Sequence, residues 1–224
     1  MQIQTLFGVE NAYKAKGFVV VIDVFRAATT AACAFAQGVA EIIPVATKEE
    51  AFAYKKIHQN VLLMGEEQGI PISGFDFGNS PHLLAQEDLT GKTMIHRSTQ
   101  GTQGIIRAIH ADTLVFGAFV TANAILSLIR REDPNVVSLV ALAGEHTEDH
   151  LFAQYLQSAL VGELSDMSLI RSHLRASFGS TWFFDPRKSN FPEEDFSFCL
   201  DTDRYPFAIV AVREPYLHLK KKPI

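Results

Sequence analysis

Apolar runs alternate with helical patterns along the chain, and their order predicts strands and helices in turn. The run at 19–24 is β-branched and almost free of polar residues, as in a strand that is covered on both faces. The alanine-rich segment at 29–37 predicts a helix that ends at Gly38. A short strand at 41–45 follows, and Pro44 places it near a sheet edge or marks the end of its pairing.

The same alternation continues through most of the chain. A capping box at 47–50 starts a helix that runs to about 59, and the loop at 65–84 is long enough to indicate a functional role. The remaining pattern predicts strands at 61–64, 93–96, 113–116, 136–142 and 207–212, and helices at 103–110, 122–130, 149–160 and 164–175. Together these elements predict an α/β fold with three layers, α/β/α, around a mixed, largely parallel sheet.

One construction occurs twice. An apolar strand runs into a turn that carries an arginine, Arg26 or Arg97, and a helix of small residues follows. An alanine and an acidic residue open the next strand at the same distance from each arginine, at Ala40 and Ala111. This spacing predicts a single domain, 1–224, built by duplication of a β-α-β-α unit over about 18–85 and 92–175. A strand that feeds directly into a helix leaves free N–H groups at the helix start, which favours an anion.

Composition and charge narrow the class of protein. With 47% apolar and 20% charged residues the chain is of globular type, and its net charge of −5 argues against nucleic acid as a partner. Cys33 and Cys199 are far apart and in apolar settings, which argues against a disulfide scaffold or a zinc site. The opening residues lack the order of a signal peptide, and the apolar runs are too short to cross a bilayer. We therefore expect a soluble cytoplasmic protein without a membrane partner, and a solvated tail at LHLKKKPI.

Candidate chemistry collects where predicted strands end, because ligands of open α/β sheets bind beyond the carboxyl ends of strands. Asp23 follows an apolar strand, where a lone carboxylate is costly to bury. It either pairs with Arg26 or caps a helix, or it holds a divalent metal. Arg26 suits a bidentate grip on phosphate, carboxylate or sulfonate.

The segment HRSTQGTQG is a candidate anion cradle. Its glycines allow close backbone approach, and its hydroxyls can donate to a ligand, although no lysine follows as in a Walker loop. His96 is either structural or a proton donor to a leaving group. The residues concerned are His96, Ser98, Thr99, Gly101, Thr102 and Gly104.

Loop carboxylates supply the oxygen ligands that Mg²⁺ prefers. They are Glu66, Asp76, Glu148 and Asp149. An acidic loop residue is more often simply solvated than bound to a metal, so each of them alone is weak evidence. No His/Cys cluster indicates zinc, and neither a GxSxG elbow nor a GxGxxG loop occurs.

These motifs, in this order, resemble the 2-phosphosulfolactate phosphatase family. The matching stretches are IDVFRAATT, GEEQG, GFDFGNSP, HRSTQGTQG, AGEHTED and a later LSD, and they span nearly the whole chain. The resemblance implies a Mg²⁺-dependent phosphatase that cleaves the phosphate ester of a small sulfonated 2-hydroxy acid, in the pathway to coenzyme M. The partner is then a small phosphorylated anionic substrate, with a homodimer as an open alternative to a monomer.

The resemblance and the residue chemistry together give a hypothesis for the site. The catalytic residues are Asp23, Arg26 and His96, and the metal ligands come from Asp23, Glu66 and Asp76. The substrate is bound by Arg26, Asn79, Arg97, Ser98, Thr99, Gly101, Thr102 and His146. Ala28, Gln68 and Gln100 depart from the family pattern next to the expected pocket. Two rivals therefore remain, a phosphatase of the same fold for another small phospho-acid and a non-catalytic anion-binding protein.

Overall fold

Ten strands form one sheet in the computed structural model, which describes residues 1–224. Its strand order is β1-β8-β2-β7-β9-β10-β3-β6-β4-β5. The strands are β1 (Gln2–Phe7), β2 (Gly17–Ile22), β3 (Glu41–Pro44), β4 (Leu62–Glu67), β5 (Ile70–Pro71), β6 (Thr93–Arg97), β7 (Ala111–Gly117), β8 (Val136–Ala141), β9 (Phe207–Val212) and β10 (His218–Pro223).

Eight α-helices flank this sheet, and the predicted α/β class with a mixed, largely parallel sheet is confirmed. They are α1 (Ala27–Ala36), α2 (Lys48–Ile57), α3 (Pro81–Leu84), α4 (Gly101–Arg107), α5 (Ala122–Glu132), α6 (Glu148–Leu160), α7 (Met167–Ala176) and α8 (Glu193–Cys199). Thr47 caps α2 by accepting from Glu50 N at 3.1 Å, while Glu50 accepts from Ala46 N, much as the predicted capping box requires. No helix has both the length and the apolar character needed to cross a membrane.

Strand direction divides the sheet into two parallel groups. One comprises β1, β8, β2 and β7, and the other comprises β3, β6 and β4. Between them, β7–β9, β9–β10 and β10–β3 all pair antiparallel, so three reversals make the groups run in opposite directions. Only one residue pair, Leu219 with Ile42, joins β10 to β3.

The two predicted copies interleave. The first supplies β2, β3 and β4 and the second β6, β7 and β8, yet the order β8-β2-β7 on one side and β3-β6-β4 on the other mixes both. The arrangement is symmetric about the central β9–β10 pair. Neither copy forms a sheet of its own, and duplication as the origin of the symmetry stays a prediction.

The ends of the chain differ from the sequence-based expectations. The tail expected to be solvated forms β10 inside the sheet, where Leu219 is fully buried while Lys220 and Lys221 are exposed. Residues 2–7 form β1, a strand that was not predicted and that pairs with β8. The strand carrying Pro44 lies between β10 and β6 rather than at an edge, and Pro44 is its last residue. The second reading of Pro44, as the end of pairing, is therefore the correct one.

Candidate active site

Two helix starts meet at Asp23, directly after β2. The Ala27 N–H, at the start of α1, donates to Asp23 Oδ1 at 2.9 Å. Gly101, the first residue of α4, lies against the same carboxylate: a Cβ there would be 2.7 Å from Asp23 Oδ2 and 2.7 Å from Ala27 Cβ. Gly101 therefore allows two helices to approach one carboxylate closely, whereas the sequence had indicated an approach to ligand.

A third helix start closes the other side of Asp23. Asp149, in the first turn of α6, accepts from Val24 N at 2.7 Å and from Ala143 N at 2.9 Å. It thereby ties the ends of β2 and β8 together, and its neighbour Glu148 is turned to the same space as Asp23. The Glu148 carboxylate accepts no hydrogen bond from another residue, although Glu148 is only 9% exposed.

Glu66, at the end of β4, joins the site from the opposite strand group. Its carboxylate accepts from Thr99 N and Gly69 N, each at 2.6 Å, and from Thr99 Oγ1 at 2.9 Å. The carboxyl ends of both strand groups thus meet at one place although the groups run in opposite directions. The sequence alone did not indicate this meeting of two opposed strand groups.

Arg26 is held by a buried partner from the C-terminal region. Its Nη1 donates to Asp195 Oδ2 at 2.7 Å and to Asn190 O at 2.8 Å, and the guanidinium lies 4.2 Å from the Phe191 ring centroid. Asp195 is fully buried and also accepts from Ser80 Oγ and His82 N, each at 2.9 Å. Nε and Nη2 of Arg26 make no hydrogen bond within the chain, so these donors are available to a ligand.

These elements enclose a cavity of about 340 Å³. Its polar side chains include Asp23, Glu66, Glu148, Arg26 and Asn79, and Asn79 Oδ1 is buried without a hydrogen-bond partner. The rest of the lining consists of Phe25, Gln68, Gly69, Thr99, Gln100, Phe178, Gly179, Trp182, Phe183 and Phe191. Of the predicted site residues, the cavity therefore gathers Asp23, Arg26, Glu66, Asn79 and Thr99.

The carboxylates of the cavity repel one another in a poorly solvated place. Burial, with a smaller contribution from Glu66, raises the pKa of Asp23 to about 6, although the Ala27 and Gly101 amides act in the opposite direction. Burial and the charge of Asp23 raise the pKa of Glu148 to about 7. The pKa of Asp149 is also raised well above its usual value by burial and by both neighbouring carboxylates.

Several predicted residues lie outside the cavity lining. Asp76 accepts from Lys55 Nζ at 2.6 Å and from Leu63 N at 2.8 Å, so it braces β4 rather than contributing a free oxygen to the cavity. Arg97 donates to Glu66 O at 2.6 Å and lies 3.4 Å from Glu67. Asp76 and Arg97 therefore stabilise β4, the strand that carries Glu66.

The two candidate proton donors also lie elsewhere. His96 is fully buried in β6 without any hydrogen-bond partner, and burial lowers its pKa to about 3. Such a ring is neutral at physiological pH. His146 is exposed and its backbone N–H donates to His150 Nδ1 at 3.0 Å. The structure thus brings neither histidine to the cavity.

Ser98 and Thr102 cap the start of α4 with each other. Thr102 N donates to Ser98 Oγ at 2.9 Å, and Ser98 N donates to Thr102 Oγ1 at 3.0 Å. Both side chains are buried, so their hydroxyls stabilise the turn that places Thr99 and Gly101. The cradle that was predicted from these hydroxyls is in the structure a brace for the backbone.

Sequence reasoning missed three contributions to the site. Glu148 was considered only as one carboxylate among several, and Asp195 was not considered. No role was predicted for the aromatic residues from 178 to 191. A signal for Glu148 existed, since the AGEHTED segment places acidic residues at a helix start beside a strand end. No comparable signal pointed to Asp195, which is 169 residues from Arg26 in the chain.

The donor set at the cavity fits a hard cation such as Mg²⁺. No group of three or more His, Cys, Asp or Glu side chains has the geometry of a preformed metal cage. Mg²⁺, however, takes one or two carboxylates and keeps several waters. Asp23 and Glu148 supply two carboxylates that lack a cationic side chain as a partner, and Asn79 Oδ1 supplies a buried oxygen without a partner.

Comparisons with known proteins agree with the motifs. A family model described as 2-phosphosulpholactate phosphatase matches residues 6–214. A probable 2-phosphosulfolactate phosphatase of Carboxydothermus hydrogenoformans is 38% identical over 201 residues, which cover 87% of this chain and 79% of the relative. Its counterpart in Bacillus subtilis is 33% identical over 183 residues, 80% of each chain. A third, from Caldicellulosiruptor saccharolyticus, is 31% identical over 206 residues, 83% of this chain and 85% of the relative.

Proposed function

The chain belongs to the 2-phosphosulfolactate phosphatase family, whose members are phosphoric monoester hydrolases, and on this premise we propose that it is a Mg²⁺-dependent phosphatase. Its proposed substrate is 2-phospho-3-sulfolactate, the compound named in its relatives. Water adds to phosphorus, the bond from phosphorus to the ester oxygen breaks, and that oxygen takes up a proton, which gives sulfolactate and phosphate. The pathway to coenzyme M and a cytoplasmic location belong to the same proposal.

The observation that carries this proposal is the charge of the cavity. Three carboxylates, Asp23, Glu66 and Glu148, face a single cationic side chain, Arg26, which already pairs with Asp195. A phosphorylated sulfolactate brings phosphate, carboxylate and sulfonate groups into this space. Such an anion is repelled unless a cation joins it, so an acidic cavity favours a phosphatase that acts with a bound metal ion.

Asp23 and Glu148 would hold Mg²⁺, with Asn79 Oδ1 as a neutral oxygen donor at the same cavity. When bound, the ion would neutralise phosphate charge and polarise the phosphoryl oxygens. Asp76 is not a ligand in this proposal, because its carboxylate is bonded to Lys55 and Leu63.

The chain's own groups position the substrate. Arg26 presents Nε and Nη2, and its remaining nitrogen is fixed by Asp195, so the guanidinium is oriented before the anion arrives. The starts of α1 and α4 add positive ends of helix dipoles beside Asp23. Thr99, held by Glu66, places the first turn of α4 at the cavity.

The proposal is tested by phosphate release from 2-phospho-3-sulfolactate, with Mg²⁺ and with a chelator, for the wild type and two matched variants. Asp23→Asn is expected to lose most Mg²⁺-dependent turnover, whereas Asp76→Asn is expected to retain it. Thermal melting of each variant separates loss of function from loss of fold. Chelator-resistant release by the wild type, or normal turnover by Asp23→Asn, would refute the proposed metal role.

A further inference from the structure

The strand β1 lies at one end of the sheet, and its outer edge is open. It pairs with β8 in unbroken parallel register from Gln2 to Phe7, and no other strand lies beside it. None of the residues of β1 is buried, whereas all residues of β8 except the first are. The fold itself therefore leaves the outer main chain of β1 uncovered.

The alternation of the main chain identifies the groups that point away from β8. The N–H groups of Gln2 and Gly8 both donate toward the β8 side, at 2.8 Å and 3.0 Å, so the even-numbered residues of β1 face that strand. The N–H and C=O groups of Ile3 and Thr5 therefore point outward, where no hydrogen-bond partner lies. The outward carbonyl of Phe7 already accepts, at 2.8 Å, from a side chain of the turn that follows β1.

β1 lacks the features that keep a free edge from pairing. Natural edge strands carry charged residues or proline, contain a bulge, or are very short. The sequence QIQTLF has neither a charge nor a proline, and its register has no bulge. At the opposite end of the sheet, β5 is only two residues long and contains Pro71. The sheet is thus protected at one end and open to pairing at the other.

The helix α6 extends the uncharged surface beside β1. The His150 ring packs edge to face on an aromatic ring of β1 at 4.9 Å between centroids, and Gln157 donates to a hydroxyl of β1 at 3.2 Å. Gln154 and Val161 continue this face at helical spacing, and both are exposed. We call β1 and these four residues the edge surface. It contains no Asp, Glu, Lys or Arg.

Symmetry indicates which partner suits the edge surface. A two-fold contact between identical chains places each residue near its own copy, so a charged residue there would meet a like charge. The chain is 20% charged with a net charge of −5, yet the edge surface avoids this repulsion. An antiparallel second β1 also matches the open groups, because Ile3 and Thr5 of one copy can each exchange two hydrogen bonds with Thr5 and Ile3 of the other.

We propose that the edge surface joins two copies of this chain into a homodimer with one sheet running through both. In this pairing Gln4 lies opposite Gln4 of the second copy, with about 4.5–5.5 Å between their Cβ atoms. A strand pair alone buries less than the about 1,200 Å² typical of stable interfaces, so the exposed face of α6 contributes the rest. The inference does not depend on the proposed phosphatase activity.

Sedimentation velocity of the full chain tests the proposal, because one chain has a mass of 24.8 kDa and the dimer has twice that mass. The wild type should be a dimer that dissociates on dilution. Gln4→Lys and Gln4→Glu each place like charges opposite one another and should weaken association by at least about tenfold. An equal mixture of the two variants should recover the dimer. Gln59→Lys adds the same charge at an exposed position after α2 and should associate as the wild type does.

Gln4 also donates to Ser138 Oγ at 2.9 Å, so thermal melting of each variant checks that the fold is retained. Hydrogen exchange tests the wild type without any substitution. The amides of Ile3 and Thr5 should exchange at least about tenfold more slowly in the dimer than after dilution to single chains. A single-chain mass at every concentration would overturn the inference. A dimer in which both amides exchange freely would also overturn it, because its interface then lies elsewhere.

Discussion

Removing one charge at Asp195 tests whether the buried pair with Arg26 organises the site. In Asp195→Asn the amide oxygen can still accept from Ser80 and His82, but its NH₂ group then faces Arg26 Nη1, where a donor meets a donor. Arg26 is only 4% exposed, so its charge is left without its carboxylate partner in a place that water scarcely reaches.

The magnitude follows from that burial. Breaking a buried ion pair by removing one partner costs about 3–5 kcal/mol, part of which is a charge-assisted hydrogen bond of about 1.5–3 kcal/mol. Arg26 keeps its bond to Asn190 O and its contact with Phe191, which places the expected loss near 3 kcal/mol. Domains are stable by about 5–15 kcal/mol, so the variant should still fold. Its kcat/KM should fall, because the guanidinium loses its fixed orientation.

Urea unfolding, followed by the fluorescence of the single tryptophan Trp182, measures the change in free energy. Asp185→Asn is the matched control, since Asp185 also pairs with an arginine at 2.8 Å but its partner Arg187 is 87% exposed. We expect no measurable change there. Indistinguishable unfolding curves for Asp195→Asn and the wild type, with normal turnover, would refute this account of the pair.

Three further predictions follow from single positions. Gly101→Ala places a Cβ 2.7 Å from Asp23 Oδ2. We expect the free energy of unfolding, measured in urea, to fall by about 1–3 kcal/mol, and most of the turnover to be lost. Wild-type stability and turnover would contradict the close approach. Glu148→Gln should weaken Mg²⁺ binding in isothermal titration calorimetry, whereas the exposed Glu145→Gln should bind as the wild type does, and equal affinities would exclude Glu148 as a ligand. His96, with a folded pKa of about 3 against 6.5 when unfolded, contributes stability that is complete above pH 6.5 and is lost as the pH falls. The free energy of unfolding differs between pH 7 and pH 5, and His96→Leu should reduce this difference by about 2 kcal/mol. Unfolding of the wild type and the variant at both pH values measures it. An unchanged difference would show that His96 is not buried as described.

Local patterns of the chain predicted the pieces of the fold but not their arrangement. The apolar run after Gly17 and the alanine-rich segment after Arg26 became β2 and α1, with bounds shifted by about two residues, as expected of such predictions. Apolar periodicity predicts which residues are buried, but it does not predict which strands are neighbours in the sheet. The interleaving of β2 with β7 and β8, and the insertion of β9 and β10, depend on contacts across most of the chain.

The same limit explains why two arginines at equivalent positions have different roles. Arg26 is buried against Asp195 and faces the cavity, because α8 packs beside the start of α1. Arg97 has no such partner and turns to Glu66 O and Glu67 on the adjacent β4. Contacts at Gly101 and Thr99 bring both turns to one site, but Arg26 has its partner outside the repeat, whereas Arg97 has its partners in the first copy.

Acidic side chains at the cavity also accept hydrogen bonds from the backbone around it. Asp23 and Asp149 are not free ligands added to a finished fold, since their carboxylates hold the first turn of α1 and the ends of β2 and β8 through backbone N–H groups. Removing them to reduce the negative charge would therefore leave buried donors without partners. The fold needs these carboxylates, and the proposed substrate brings more negative charge into the cavity. A bound cation would neutralise both and leave the carboxylates in place. The Mg²⁺ dependence that we propose thus has a structural reason beyond the chemistry of phosphate transfer.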